Sequence, residues 1–340
     1  ELFRGYAETV SPFIYDGDTI GFNRIDNCRT FAGGGNITPN YARIISGGFK
    51  KALNDIKNSK KNADSHQKKY ADAMLLCIDT ALAEAEKYRA YAKEKSPRLY
   101  NALNVVPENG AVSFYEACVF MKFCIYILRL SGMTHVTLGR FDQYMYPYYK
   151  ADLEKGISED ELFETLEEFF ISINFDSALY SIVQPGDDGQ SMVLGGYDLQ
   201  GNDMFNPLSK ACIDASIELS LIDPKINDRV NKNTPIERYE YLTLLTKKGL
   251  GFPQYLNDYT VVPGLVALGY DREDASNYSV AACWEFIVSG CGVDIPNIAT
   301  FEFPKVTNNT IRKYLVESDS FDVLIDHAKL VRKNECDRIV

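Results

Sequence analysis

The sequence has no C-x-x-C pair, no histidines at zinc-ligand spacing, no glycine-rich phosphate loop of the G-x-G-x-x-G or Walker type, and no internal repeat. Its eight cysteines, Cys28, Cys77, Cys118, Cys124, Cys212, Cys283, Cys291 and Cys336, are scattered, which speaks against a disulfide framework and for a reduced, cytoplasmic compartment. No signal peptide is read at the start. The longest apolar stretch, 117–130, is interrupted by Lys122 and Arg129 and falls short of the roughly 20 residues a spanning helix needs, so no membrane partner is expected. Positive charge is also scarce: the formal net charge is -11, which repels phosphate and excludes nucleic acid as an expected partner. The one lysine-rich run, 50–69, is interleaved with acids and amides and reads as a solvated helix face. Histidine is rare, and His66 and His327 lie in polar helical runs that read as surface. The glycines at 33–35 follow no strand and read as a turn. Neither a metal site nor a bound cofactor is expected.

With 340 residues, 46% of them hydrophobic and 24% charged, the chain has the composition of an ordinary globular protein with a sizeable core. The first third reads mainly as helix, over 41–56, 67–92 and 113–130, the last opened by the capping-box pair Ser113 and Glu116 after a turn at 107–110. Another helix begins at Ser158, with Glu161 in the box position and Leu162, Leu166, Phe169, Phe170 and Ile173 as its buried stripe. From 191 onward strands at 191–194, 225–230, 252–256 and 278–283 alternate with helices at 208–219, 235–248 and 262–268. The 235–248 helix carries the fullest signature: Thr234 as cap, Pro235 in the first turn, Glu237 closing the box and Gly249 beyond the end. Such alternation predicts an α/β fold with a parallel sheet or barrel, divided into a mainly helical region, 1–110, and an α/β part, 111–340. Both ends fall within helical patterns, so the chain reads as one piece of a longer enzyme.

Reactive groups in parallel α/β folds gather where strands end. Cys283-Trp284-Glu285 falls there, and in an extended strand residues two apart share a side, which would set the thiol and the carboxylate together. The alternative stands beside it: a free cysteine is often a buried small hydrophobe, and on that reading Glu285, between apolar neighbours, simply pairs with a core arginine.

Several segments together are more specific: NITPNY at 36–41, GRFDQYMYPYY at 139–149, and the run from KINDRVNKNTP through GLGFPQYLND to DREDASNYSVAACWE. In order and content they resemble the glycyl radical enzymes, the family of pyruvate formate-lyase, glycerol and diol dehydratases, choline trimethylamine-lyase and hydroxyproline dehydratase. The resemblance runs over nearly the whole chain. It implies a ten-stranded α/β barrel around a finger loop whose cysteine carries a thiyl radical, matched by Cys283. In eliminating members the glutamate two residues on acts as base or acid, matched by Glu285. In a dry barrel such a carboxylate is held toward its protonated form, which suits proton transfer near neutral pH. His135 lies in a segment that lines the substrate pocket in similar enzymes, where it would donate to a substrate oxygen or carboxylate; a histidine satisfied in the core is the other reading.

The sequence also departs from the family. Formate-lyases carry two adjacent cysteines where this chain has Cys283 and Trp284, which argues against acyl transfer to coenzyme A. Asn36 stands where many relatives have histidine, and the 22–36 stretch is shorter than in the large dehydratases. No RVxGY-like segment, the family's radical store, occurs in the 340 residues. The expected protein is therefore the core of a radical lyase whose glycyl radical domain is absent from this chain. Its expected partners are a small-molecule substrate, a radical S-adenosylmethionine activating enzyme and the remaining C-terminal glycyl radical part. The family also accommodates a homodimer, anaerobic organisms and packaging in a microcompartment. Rival expectations are arylacetate decarboxylation, formate-lyase chemistry and a catalytically silent subunit.

Overall fold

The structure, a computed structural model, describes residues 1–23, 37–133, 135–175, 189–281, 284–292 and 301–339. It divides into two compact units, Glu1–Asp294 and Ile295–Val340. The shortened 22–36 stretch and Asn36 lie, apart from Phe22 and Asn23, outside the described residues.

The first unit begins with α1 (Leu2–Ala7), α2 (Tyr41–Lys60), α3 (Ser65–Lys95), α4 (Pro97–Ala102) and α5 (Phe114–Leu130). The lysine-rich run forms the exposed end of α2 and the start of α3, where Lys51 pairs with Asp55 and Lys60 with Asp72. The pattern at 41–56 gives α2, but the helix is broken at Gly48, whose φ is +70°. The 107–110 turn docks there: Phe49 and Lys50 donate to the carbonyls of Pro107 and Glu108 at 2.9 Å. A Cβ on Gly48 would lie 2.4 Å from the Asn109 carbonyl carbon, so only glycine admits the turn.

The apolar stretch 117–130 is the buried part of α5. Its charge at Lys122 is fully buried, and the ammonium donates to the Ser172 carbonyl at 2.7 Å. The Ser113 hydroxyl accepts from the Glu116 N–H as expected, while the Glu116 carboxylate reaches back to the Val112 N–H. After α6 (Phe141–Tyr144) and α7 (Tyr146–Glu154), α8 (Glu159–Asn174) starts at its Ser158 cap and buries the expected stripe. These helices share one core with the outer face of the sheet, including Val136, Leu138, Met192, Leu194 and Ile226, and it runs without interruption through residue 110.

The sheet consists of β1 (Ser191–Gly195), β2 (Lys225–Val230) and β3 (Gln254–Asn257), all parallel, with α9 (Pro207–Leu219) and α10 (Ile236–Thr246) as crossovers. Two parallel bridges, Ile37↔Val136 and Gly139↔Met192, add the segments around 37–38 and 135–139 on the β1 side. Five parallel segments in a row are thus joined. The ten-stranded barrel is met only in part, since among the described residues the sheet does not close.

Several local expectations shift. The Thr234 side chain does not cap α10: its hydroxyl accepts from the Asn231 N–H and bonds the Tyr197 hydroxyl at 2.7 Å, and Pro235 takes the N-cap position. The helix expected at 262–268 begins earlier, as α11 (Asp258–Ala267), because the Asn257 side chain caps the Tyr259 N–H. It is followed by α12 (Arg272–Ser276).

The second unit holds α13 (Phe303–Tyr314) and α14 (Phe321–Ile339). His327 is half-buried rather than a plain surface residue, because its ring stacks on Tyr314 with centroids 4.1 Å apart. His66 is exposed.

Candidate active site

The segment after α12 forms an antiparallel hairpin of β4 (Tyr278–Ala281) and β5 (Glu285–Val288), with Tyr278 opposite Val288, Ser279 opposite Ile287 and Ala281 opposite Glu285. β4 falls within the strand expected over 278–283, whose last two residues lie outside the described residues, but Glu285 belongs to a return strand. Glu285 opens the return strand opposite Ala281, so it is not a continuation of β4 and strand alternation from β4 does not carry through to it. Cys283 itself, like Ala282, lies outside the described residues. Glu285 is half-buried, and its carboxylate accepts the Trp284 N–H at 3.1 Å; the Trp284 ring is exposed.

One face of the hairpin packs on the inner face of the sheet: Tyr278, Val280 and Val288 cluster with Val193 and Leu256. The other face meets the 37–38 and 135–139 segments through hydroxyls. Ser279 donates to Thr38 at 3.2 Å or to the Ile287 carbonyl at the same distance, and Thr38 bonds Thr137 at 2.5 Å. Two glycines allow the approach. A Cβ on Gly139 would lie 2.8 Å from Thr38 Cγ2, with the Ser289 hydroxyl in ordinary contact at 3.5 Å, and one on Gly290 would lie 3.0 Å from the Asn40 side chain. His135 begins the 135–139 segment, is half-buried, and accepts the Ile37 N–H through its carbonyl at 3.3 Å. Gly189 makes room for its ring, since a Cβ there would fall 2.6 Å from Cδ2.

Beneath the hairpin lies a charge network that the sequence reading missed. Arg229 on β2 is fully buried and grips Asp258 in two parallel bonds, Nε to Oδ1 and Nη2 to Oδ2, both 2.9 Å. Its Nη1 donates to the carbonyls of Ser276 at 2.9 Å and Tyr278 at 3.3 Å. The guanidinium carbon lies 4.0 Å from the Tyr278 ring centroid, and the Tyr278 hydroxyl donates to Asp258 at 2.8 Å. Arg140 donates to the Asn277 side chain at 3.2 Å and the Gly195 carbonyl at 2.9 Å; burial, with the charge of Arg229 second, pulls it down to about 10. Asp142 accepts the Gly195 N–H at 2.7 Å and the Ser209 hydroxyl at 2.5 Å, and burial pushes its carboxyl up. The available signal was Asn227-Asp228-Arg229, three consecutive polar residues inside a strand whose central positions are all buried. Among the described residues no cluster of three or more His, Cys, Asp or Glu could hold a metal ion. No helix there is long and apolar enough to cross a membrane.

Parallel strands with outer helices, and an antiparallel hairpin seated on the inner face, define an α/β scaffold. Residues 21–330 match the family described as Pyruvate formate lyase-like. The chain is 25% identical over 290 residues to (2S)-3-sulfopropanediol dehydratase of Klebsiella oxytoca, covering 78% of this chain and 35% of that protein. It is 33% identical over 220 residues to isethionate sulfite-lyase of Oleidesulfovibrio alaskensis, covering 62% and 26%. The glycerol-bound B12-independent glycerol dehydratase from Clostridium butyricum shares the fold with a TM-score of 0.81 at 24% identity, over 99% of this chain and 46% of that one. The chain belongs to the pyruvate formate lyase-like family of glycyl radical enzymes, and it spans about a third of the length of the first of these relatives.

Proposed function

We propose that this chain supplies the hydrogen-abstracting and proton-transferring groups of a radical lyase that eliminates water, an amine or a similar group from a small polar substrate. One observation carries the reading: the direction of the hairpin. Ser289 and Gly290 sit by Gly139 and Asn40, whereas Ser279 sits by Thr38 and Thr137, so the finger runs antiparallel to the sheet strands. Two more residues, at about 3.3 Å each, carry the Ala281/Glu285 rung toward the level of His135, two residues before Thr137. By alternation Glu285 shares the face of Ser279 and Ile287, and His135 the face of Thr137. Glu285 and His135 thus belong to one region of the inner face, and we assign Cys283, two residues before Glu285 in the sequence, to act there.

A glycyl radical installed by a radical S-adenosylmethionine activating enzyme on the remaining part of the protein would take up the hydrogen atom of the Cys283 thiol and so supply the sulfur-centred radical. Cys283 then takes a hydrogen atom, forming S–H as the substrate C–H bond breaks and leaving a carbon radical. Glu285 moves the proton that lets the leaving group depart with its electron pair. The product radical recovers its hydrogen atom from the Cys283 thiol, so the cycle consumes no oxidant. His135 holds a substrate oxygen or carboxylate by donating a hydrogen bond. With Trp284 beside Cys283, no second thiol is adjacent to carry an acyl group.

In the full-length activated enzyme, Cys283→Ala is expected to abolish turnover while the glycyl radical signal in electron paramagnetic resonance persists. Turnover that survives this substitution refutes the reading. Release of carbon dioxide with the substrate's other oxygens retained would assign decarboxylation instead.

A further inference from the structure

The residues at the base of the finger are tied down by charged and polar hydrogen bonds. Arg229 donates to the carbonyls of Ser276 and Tyr278, Arg140 donates to the Asn277 side chain, and Asp258 accepts both the Arg229 guanidinium and the Tyr278 hydroxyl. Three consecutive residues are therefore tied to β2, to the start of α11 and to the segment at Gly139–Arg140. The sheet is shaped to admit this arrangement. Gly196 has φ +88°, and a Cβ there would lie 2.8 Å from Arg229 Nε and 2.9 Å from its Cζ. Past the mount, the finger is held by apolar packing of Val280 and Val288 on Val193 and Leu256 and by the Ser279 hydroxyl, contacts that fix angle less sharply than the bidentate guanidinium.

We infer that Arg229, with Asp258 and Tyr278, is a positioning clamp for the proposed reaction: it fixes the base of the β4–β5 finger and so sets where Cys283 and Glu285 stand relative to substrate. The inference rests on the radical-lyase reading above. The chemistry requires such a device. Hydrogen-atom transfer needs the sulfur in contact with one particular C–H bond, and a displacement near 1 Å is worth roughly a hundredfold in rate. A two-stranded hairpin is marginal alone, so its geometry must be imposed from its base. A bidentate guanidinium fixes angle as well as distance, which the point charge of lysine does not.

The test uses the full-length enzyme with Arg229→Lys and, as the gentler variant, Tyr278→Phe, which keeps the ring over the guanidinium and removes only the bond to Asp258. Three quantities are read: glycyl radical content by electron paramagnetic resonance, kcat and KM, and hydrogen exchange at the Val280 and Ile287 amides against those of α8. Arg229→Lys is expected to keep radical content and α8 protection within twofold of wild type. It should speed exchange in the finger at least tenfold and lower kcat at least tenfold, with KM changed less than threefold. Tyr278→Phe should move exchange and kcat the same way by a smaller factor. Unchanged finger exchange, or unchanged kcat, in both variants overturns the clamp. Loss of α8 protection in step with the finger assigns Arg229 to general stability and overturns it equally. A failure of the radical-lyase reading is separately visible, because it appears as turnover surviving Cys283→Ala.

Discussion

Two arginines are buried against opposite faces of β2. Arg229 lies on the inner face and is matched one to one by Asp258. Arg238, from α10, reaches the outer face, where it bonds Asp228 at 2.6 Å and Asp203 at 3.0 Å. The consecutive glycines that end β1 serve one each: a Cβ on Gly195 would fall 2.1 Å from Arg238 Nη2, as one on Gly196 would strike Arg229. The difference lies in the charge count. On the inner face Arg229, with Arg140 nearby, meets a single anion, Asp258, whose Oδ1 also accepts the Tyr278 hydroxyl. On the outer face one cation meets two anions, one oxygen of Asp228 has no hydrogen-bond partner, and burial, against the pull of Arg238, pushes the Asp228 carboxyl up to about 7. A fixed mount and a proton-binding pair therefore sit back to back across a single strand.

The contrast is broken most severely by Asp258→Leu, which leaves the Arg229 guanidinium buried without its anion. The expected loss is about 3–5 kcal/mol in denaturant unfolding. Gly196→Ala should come next, at about 1–3 kcal/mol from a strained positive φ and a Cβ against the guanidinium, and should leave the outer pair untouched.

Asp228→Asn tests the outer pair through pH. The folded-state value of about 7 lies above the ordinary aspartate value of 3.8, so between these values the folded state binds more protons than the unfolded one. Stability tied to this group is therefore greatest at or below about pH 4 and declines as pH rises through about 7. The substitution should flatten that decline in thermal unfolding curves recorded across the window. An unchanged slope would remove Asp228 as its source. Ser158→Ala, at the cap of α8 and away from both pairs, should cost only about 1 kcal/mol in the same measurement.

The parallel strands were legible because their apolar content and flanking turns agree: the patterns at 191–194 and 225–230 match β1 and β2 to within a residue. The finger was not legible as a hairpin. Between Tyr278 and Val288 the chain reads YSVAACWEFIV, an apolar run with no Gly, Pro, Asn or Asp to mark a turn. Its reversal is imposed by packing and by the clamp at its base. Gly48 hid the break in α2 for a similar reason, since the helical pattern continues on both sides and the cause of the break, the 107–110 turn, lies some 60 residues away. The arginine clamp escaped because charges within a strand read as exposure until their partners, 29 and 49 residues later, are brought beside them. Cys283 and Glu285 were proposed from their motif; Glu285 opens the return strand opposite Ala281 rather than extending the first, and Cys283 lies outside the described residues.

The most direct measurement is a structure of the full-length enzyme with substrate bound. The expected result places a substrate carbon in van der Waals contact with the Cys283 sulfur, about 3.5–4 Å away, with Glu285 and His135 in hydrogen-bond reach of the substrate's polar groups. Substrate bound instead in the open cleft beyond the strand ends, lined by Tyr197, Asn231, Tyr259 and Arg272, with Cys283 remote from it, would contradict the central claim.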